Sequence, residues 1–181
     1  MGKEKPSAGT VSSATPTSAT ITRDVTSQTV SIVTGFLDRM GMSQHIPQNC
    51  DTKDFYSDLI RGSIKVNTVQ RGRISCLLSV KPALTNAYGG LHGGAVAAVA
   101  EIISIACART VVDEGKELFL GELSISYLSA APRNAELMVD GSVIRSGRNL
   151  TVIAVEFKLK ESTRLTYTCR ATFYNMPVAS L

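Results

Sequence analysis

Histidine is scarce in this chain, with only two residues, and the four cysteines stand far apart at positions 50, 76, 107 and 169. No two form a CxxC pair, so the usual His/Cys zinc sets and dithiol redox motifs are excluded, and no metal is expected. A basic run interleaved with aromatics is also missing, which argues against nucleic acid as a partner. A secretory leader pattern is lacking as well. Cys50, Cys76, Cys107 and Cys169 therefore read as free thiols, mostly buried, in a reducing compartment. The cytoplasm is the expected location, with an organelle (mitochondrion, plastid or peroxisome) as the alternative. A charge-free segment long enough to cross a bilayer is absent too. Residues 87–108 have the length, but they carry Glu101 near the middle, His92, and glycines at 89, 90, 93 and 94. No membrane span is expected.

What is present fits a soluble globular chain: 44% hydrophobic and 19% charged residues over 181 positions, enough for one domain with a substantial core. The charge is uneven. Residues 1–60 hold five Lys/Arg against six Asp/Glu, whereas 61–181 hold fourteen against nine. The second part is modestly basic, which suits a small anionic ligand. Residues 1–24 are rich in Ser, Thr, Ala and Pro and are expected to form a disordered tail. Their Met-Gly start has Pro6 where a myristoylation motif wants Ser or Thr. The lone Arg23 is a poor transit signal, and the C-terminal Ala-Ser-Leu is not Ser-Lys-Leu. Residues 25–54 form an N-terminal helical segment and 55–181 the main domain.

Apolar spacing predicts a helix over 28–40, with Val30, Val33, Phe36, Leu37 and Met40 on one face and Gly41 as its stop. A short helix follows at 54–60. Strands are predicted at 62–70, half-buried through Ile64, Val66 and Val69, and at 73–81, joined by Arg71-Gly72. After a loop at 82–91 comes a helix over 93–110. It is apolar nearly all round and hence buried on most sides. Four strands then run at 117–129, 134–146, 149–161 and 164–175, with period-2 alternation in the last two. Ser146-Gly147-Arg148 is a hairpin turn with the glycine such turns need, and Glu161-Ser162-Thr163 is another. The expected class is α+β, an antiparallel sheet of about six strands curled around one long central helix.

Within the run LHGGAVAAVAEIISIACA at 91–108, one side chain alone is fully charged, Glu101. A carboxylate buried there would lose hydration at a cost of several kcal/mol. Such groups tend to be kept for use.

The element order, together with Asn-Ala-x-Gly-x-Leu-His-Gly-Gly at 86–94, an acid eight residues after Gly93, Ser-Ile-Ser-Tyr-Leu at 124–128 and Arg-Ser-Gly-Arg-Asn-Leu at 145–150, resembles the hotdog-fold acyl-CoA thioesterases. The nearest branch holds acyl-coenzyme A thioesterase 13 (thioesterase superfamily member 2) and the phenylacetate-pathway thioesterases. The resemblance covers about 55–176. It implies a hotdog fold and hydrolysis of acyl-CoA to a free acid and coenzyme A, with no cofactor.

A thioester carbonyl under attack becomes an oxyanion and needs donors preset where that charge develops. The backbone N–H groups at a helix start supply them. By resemblance, the Gly93 N–H polarises the carbonyl, His92 shapes that turn, Asn86 helps position water and thioester, and Glu101 is general base or nucleophile. For coenzyme A the resemblance implies Gly94, the segment Tyr127, Leu128 and Ser129, and the hairpin Arg145, Ser146, Gly147, Arg148 and Asn149. Tyr127–Pro132 are expected beside that hairpin. Eight helical residues rise ~12 Å, so Glu101 cannot easily reach a carbonyl held at its own Gly93. Two antiparallel copies of the helix solve this, which makes a homodimer, and a dimer of dimers built from it, the expected assembly. Relatives carry a Ser on the strand after the helix, where this chain has Leu120; Ser124 or Ser126 are the candidate substitutes. The competing readings are a hotdog (de)hydratase, whose His-Phe-Pro surroundings are absent, and a non-catalytic acyl-CoA binding module.

Overall fold

The computed structural model describes residues 25–39 and 45–177. The expectations for 1–24, Met40, Gly41 and the C-terminal tripeptide lie outside them. The chain divides into two units between Cys50 and Asp51. The first contains helix α1 (Ser27–Arg39), whose N-terminus is capped by the Thr26 hydroxyl accepting from the Thr29 N–H at 3.2 Å. It buries no side chain, and Val33, Phe36 and Leu37 of its apolar stripe are exposed.

The second unit runs α2 (Phe55–Arg61), β1 (Ile64–Gln70), β2 (Arg73–Ser79), a 3₁₀ turn (Pro82–Leu84), α3 (Gly93–Arg109), β3 (Lys116–Tyr127), β4 (Glu136–Ser146), β5 (Leu150–Leu159) and β6 (Leu165–Pro177). All six strands form one antiparallel sheet in the order β1-β2-β4-β5-β6-β3. Alternation decides its faces. Ile153, Val155 and Phe157 of β5, and Tyr167, Cys169, Ala171 and Phe173 of β6, are buried beneath α3. Helix α3 contributes Val96, Val99, Ala100, Ile103 and Cys107 to the same core. It can lie close because β4 has Gly141 there: a Cβ at that position would meet Ile74 Cγ2 at 2.9 Å and Ile103 Cγ2 at 3.0 Å.

Three expectations are corrected. The sheet is not curled around the helix; it is an open ladder with free edges at β1 and β3. A helix on one face suffices because the other face is polar, with Arg73, Ser75, Asp140, Glu156 and Lys158, and an antiparallel sheet can leave such a face in water. Strand β1 is not half-buried: as the edge strand it leaves Val66 and Val69 exposed. Helix α3 is covered on most sides, as expected: eight of its 17 residues are buried and five partly so, and only Gly94, Glu101, Ile102 and Arg109 are exposed. Gly147 does not have a positive φ, so its turn does not require glycine; among the described glycines only Gly72 and Gly89 do.

No described helix is long and apolar enough to cross a membrane.

Candidate functional site

The start of α3 is held from three directions. His92 is the N-cap in extended backbone, and its Nδ1 accepts from the Gly94 N–H at 2.9 Å. That places the imidazole proton on Nε2. Tyr127, at the end of β3, donates its hydroxyl to the Gly93 carbonyl at 3.1 Å. Tyr56, on α2, donates to the Gly94 carbonyl at 3.1 Å. The Gly93 N–H, by contrast, has no acceptor among the described residues. It is one of the donors a helix N-terminus leaves over, at the positive end of the dipole.

Gly93 lines an open hollow of about 450 Å³ with Asn86, Tyr88, Gly90, Leu91, Tyr127, Ser129 and Tyr167. Asn86 is committed to the shape of its loop, because its Oδ1 accepts from the Tyr88 N–H at 3.0 Å and the Gly90 N–H at 3.2 Å. This is an Asx-type turn, and Gly89 takes the positive φ it needs. The Nδ2 of Asn86 has no partner among the described residues. Tyr167 stacks edge-on against Tyr127 and Phe157, each at 5.7 Å, and its hydroxyl accepts from the Ala131 N–H at 3.0 Å. Burial pushes the Tyr167 phenol up; the Ala131 hydrogen bond only partly opposes this. The Ser129 hydroxyl is buried in the wall of the hollow with no partner, and Leu128 beside it is exposed.

Glu101 does not line that hollow. It stands on the uncovered face of α3, about 12 Å further along the helix, beside Ile102, which is 39% exposed. No cation pairs with it among the described residues. The expected loss of hydration therefore does not occur within one chain, because Val99, Ala100 and Ile103 turn to the core while Glu101 and Ile102 stay on the open face.

The hairpin Arg145, Ser146, Gly147, Arg148 and Asn149 is exposed. Asn175 fastens it, donating from Nδ2 to the Gly147 carbonyl at 2.9 Å and from its N–H to the Asn149 carbonyl at 3.0 Å. Lys116 donates to the Arg148 carbonyl. The structure does not bring this hairpin beside Tyr127–Pro132. Ser146 pairs with Thr151, whereas Tyr127 pairs with Tyr167 opposite Phe157. From Thr151 to Phe157 along β5 is about 20 Å, so within one chain the two groups occupy opposite ends of the sheet. Leu120 packs against the core, next to a bulge at Gly121. Ser124 and Ser126 are exposed and alternate with the core-packed Leu123 and Ile125, on the face away from α3. They cannot stand in for a serine at Leu120.

Sequence reading missed Tyr56 and its hydroxyl, and it gave Tyr127 to coenzyme A. Their partners lie 38 and 34 residues away along the chain, and no local spacing signals them.

This arrangement of one helix and a six-stranded antiparallel sheet coincides with what similarity shows. A profile of the Thioesterase superfamily matches residues 88–166, from the loop before α3 into β6. The chain is 26% identical over 114 residues to acyl-coenzyme A thioesterase 13 of Homo sapiens, covering 63% of this chain and 81% of that protein. Its fold is similar to the crystal structure of zebra fish thioesterase superfamily member 2, with a TM-score of 0.61, 22% identity and coverage of 80% and 96% of the two chains. It is also similar to a thioesterase protein from Streptococcus pneumoniae solved with coenzyme A, with a TM-score of 0.58, 22% identity and coverage of 65% and 91%. Over residues 88–166 the chain thus matches the Thioesterase superfamily, and its fold is the hotdog-like fold of those solved structures.

Proposed function

We propose that this protein hydrolyses acyl-CoA thioesters to a free carboxylic acid and coenzyme A, at sites shared between two copies of the chain. The observation that carries the proposal is the unpartnered Gly93 N–H at a helix start, with an unpaired Glu101 on the open face of the same helix. A thioester carbonyl seated in the Gly93 hollow meets a donor already aimed and free. Glu101 of a second copy, its α3 antiparallel to the first, supplies the carboxylate. As general base it takes a proton from water while the water oxygen bonds to the carbonyl carbon. The oxyanion rests on the Gly93 N–H, collapse breaks the C–S bond, and the proton passes to the coenzyme A sulfur. Glu101 acting as nucleophile is the variant of this route.

Antiparallel helices have a second consequence. The 145–149 hairpin lies with Gly72 and Val143 at the C-terminal end of α3, where Thr110 accepts from the Gly72 N–H at 2.8 Å. A second copy placed to bring Glu101 to Gly93 turns that end toward the first copy's hollow. Arg145 and Arg148 of the partner then offer guanidinium groups to the phosphates of coenzyme A. The 12-residue edge strand β3 and the face with exposed Ile102 and partly buried Ile105 are the surfaces available for dimerisation. Two such dimers make the tetramer.

The test is thiol release from acyl-CoA substrates spanning short, aromatic and long chains. Glu101→Ala is expected to lower kcat about 10²–10⁴-fold. Gly93→Pro deletes the N–H in a residue well tolerated at the first helical position, with His92 already in the extended backbone that precedes proline, and its Cβ also presses on the Tyr127 hydroxyl at 3.3 Å. It is expected to lower kcat about 10²–10³-fold while the protein stays folded. Equal rates for wild type and Glu101→Ala would overturn the proposal in favour of a binding module.

A further inference from the structure

From the hydrogen bonds around the first turn of α3 we infer that Tyr56 and Tyr127 are positioning residues, a two-sided hydroxyl clamp that presets the Gly93 N–H. This inference rests on the thioesterase reading above and adds two residues to its machinery. A helix that opens with two glycines has the least ordered start a sequence can specify, because glycine has the most conformational freedom to lose and helix ends fray. An oxyanion donor is useful only when it is fixed before charge develops. The Gly93-Gly94 turn therefore needs restraint from outside the helix, and the structure supplies it from both flanks. Tyr127 comes from the end of β3 and reaches the Gly93 carbonyl; Tyr56 comes from α2 and reaches the Gly94 carbonyl, each at 3.1 Å. The glycines are what admit these rings: a Cβ on Gly93 would meet the Tyr127 hydroxyl at 3.3 Å and its Cε1 at 3.5 Å, and one on Gly94 would meet the Tyr56 hydroxyl at 4.0 Å. His92 takes the Gly94 N–H. Three side chains from three elements thus fix both residues and leave the Gly93 N–H free.

Tyr127 is itself braced by the buried Tyr167 at 5.7 Å, so its hydroxyl is delivered from a packed ring although the residue is 55% exposed. Tyr56 is 52% exposed and stands across the helix start, where it lines a smaller apolar hollow with Leu59, Ala83, Leu84, His92 and Ala95. The clamp therefore also links α2 and β3 through the helix start they share.

The experiment compares Tyr56→Phe, Tyr127→Phe and the double variant with wild type, each retaining its ring. Two quantities are read: the split of kcat from KM on acyl-CoA, and the ¹⁵N order parameters of the Gly93 and Gly94 amides without substrate. The clamp predicts a kcat loss of about tenfold to 10²-fold in the double variant with KM nearly unchanged. It also predicts order parameters that fall from a rigid ~0.85 toward ~0.6. A double variant within about twofold of wild-type kcat overturns the inference. If wild type itself releases no thiol, the thioesterase reading fails, and unchanged order parameters in the double variant then overturn the clamp separately.

Discussion

Gly141, Gly121 and the buried cysteines show what single positions contribute. The Gly141 hydrogen faces Ile74, Ile103 and Cys107, and it sets how near α3 lies to β4. Gly141→Ala pushes helix and strand apart and is expected to cost about 1–3 kcal/mol as overpacking, read as a lower urea midpoint. At Gly121 a Cβ would come within 2.3 Å of the Tyr174 ring. Gly121→Ala is thus expected to swing that ring off the bulge with a smaller loss, since Tyr174 is half exposed. Burial pushes the Cys107 thiol up to about 11 and the Cys169 thiol up to about 12. These groups keep their protons in the native state while the unfolded chain loses them above a pH near 9. The unfolded state then binds fewer protons, so their contribution is fully present below about pH 9 and is lost as pH rises toward 12. The urea midpoint should drop between about pH 8 and about pH 10, and less so in a Cys107→Ala/Cys169→Ala variant. A drop of the same size in that variant would assign the effect to other groups. At residue scale the sequence read well where chemistry is local: the cysteines are free and three of the four are buried. It read poorly where exposure decides. Glu101 looked buried because its neighbours in sequence are apolar, yet the helix turns Val99, Ala100 and Ile103 inward and leaves Glu101 and Ile102 on the open face.

The elements were largely legible. Period-2 alternation located β5 and β6, the glycine at Arg71-Gly72 marked a turn with positive φ, and the His-Gly-Gly run marked the start of α3. What alternation cannot carry is which strand ends the sheet. Edges are defined by pairings that do not occur, so the open ladder and the exposure of β1 lay outside the pattern. The same holds for the hairpin at 145–149. Its residues were legible as a turn, but its distance from Tyr127 follows from strand register. The cap at the start of α3 makes a prediction at this scale. His92→Ala removes the acceptor for the Gly94 N–H and is expected to cost about 1 kcal/mol of stability. His92→Asn, which restores a side-chain acceptor, should recover most of it in the same denaturation experiment. Recovery of stability without recovery of kcat would show that His92 does more than cap.

At the scale of the whole molecule, one chain holds the pieces of the proposed site apart. The Gly93 hollow lies at one end of the sheet, the 145–149 hairpin at the other, and Glu101 on the outer face of the helix between. Two antiparallel copies, as proposed above, would reunite all three. The chain should accordingly sediment as a dimer or a dimer of dimers. Weakening the Ile102 and Ile105 face with Ile102→Glu is expected to shift it toward monomer and to lower activity in proportion. A fully active monomer would contradict the shared site.

The central claim is that Gly93 and Glu101 of one working site come from different copies, and hybrid complementation tests it most directly. Glu101→Ala and Gly93→Pro chains, each nearly inactive alone, are co-expressed with separate tags and assayed as a mixed population for thiol release. In a hybrid dimer one site carries both lesions and the other carries neither, so random pairing should restore about a quarter of wild-type kcat. A mixture no more active than the two parents would place both residues in the same chain's site and contradict the account.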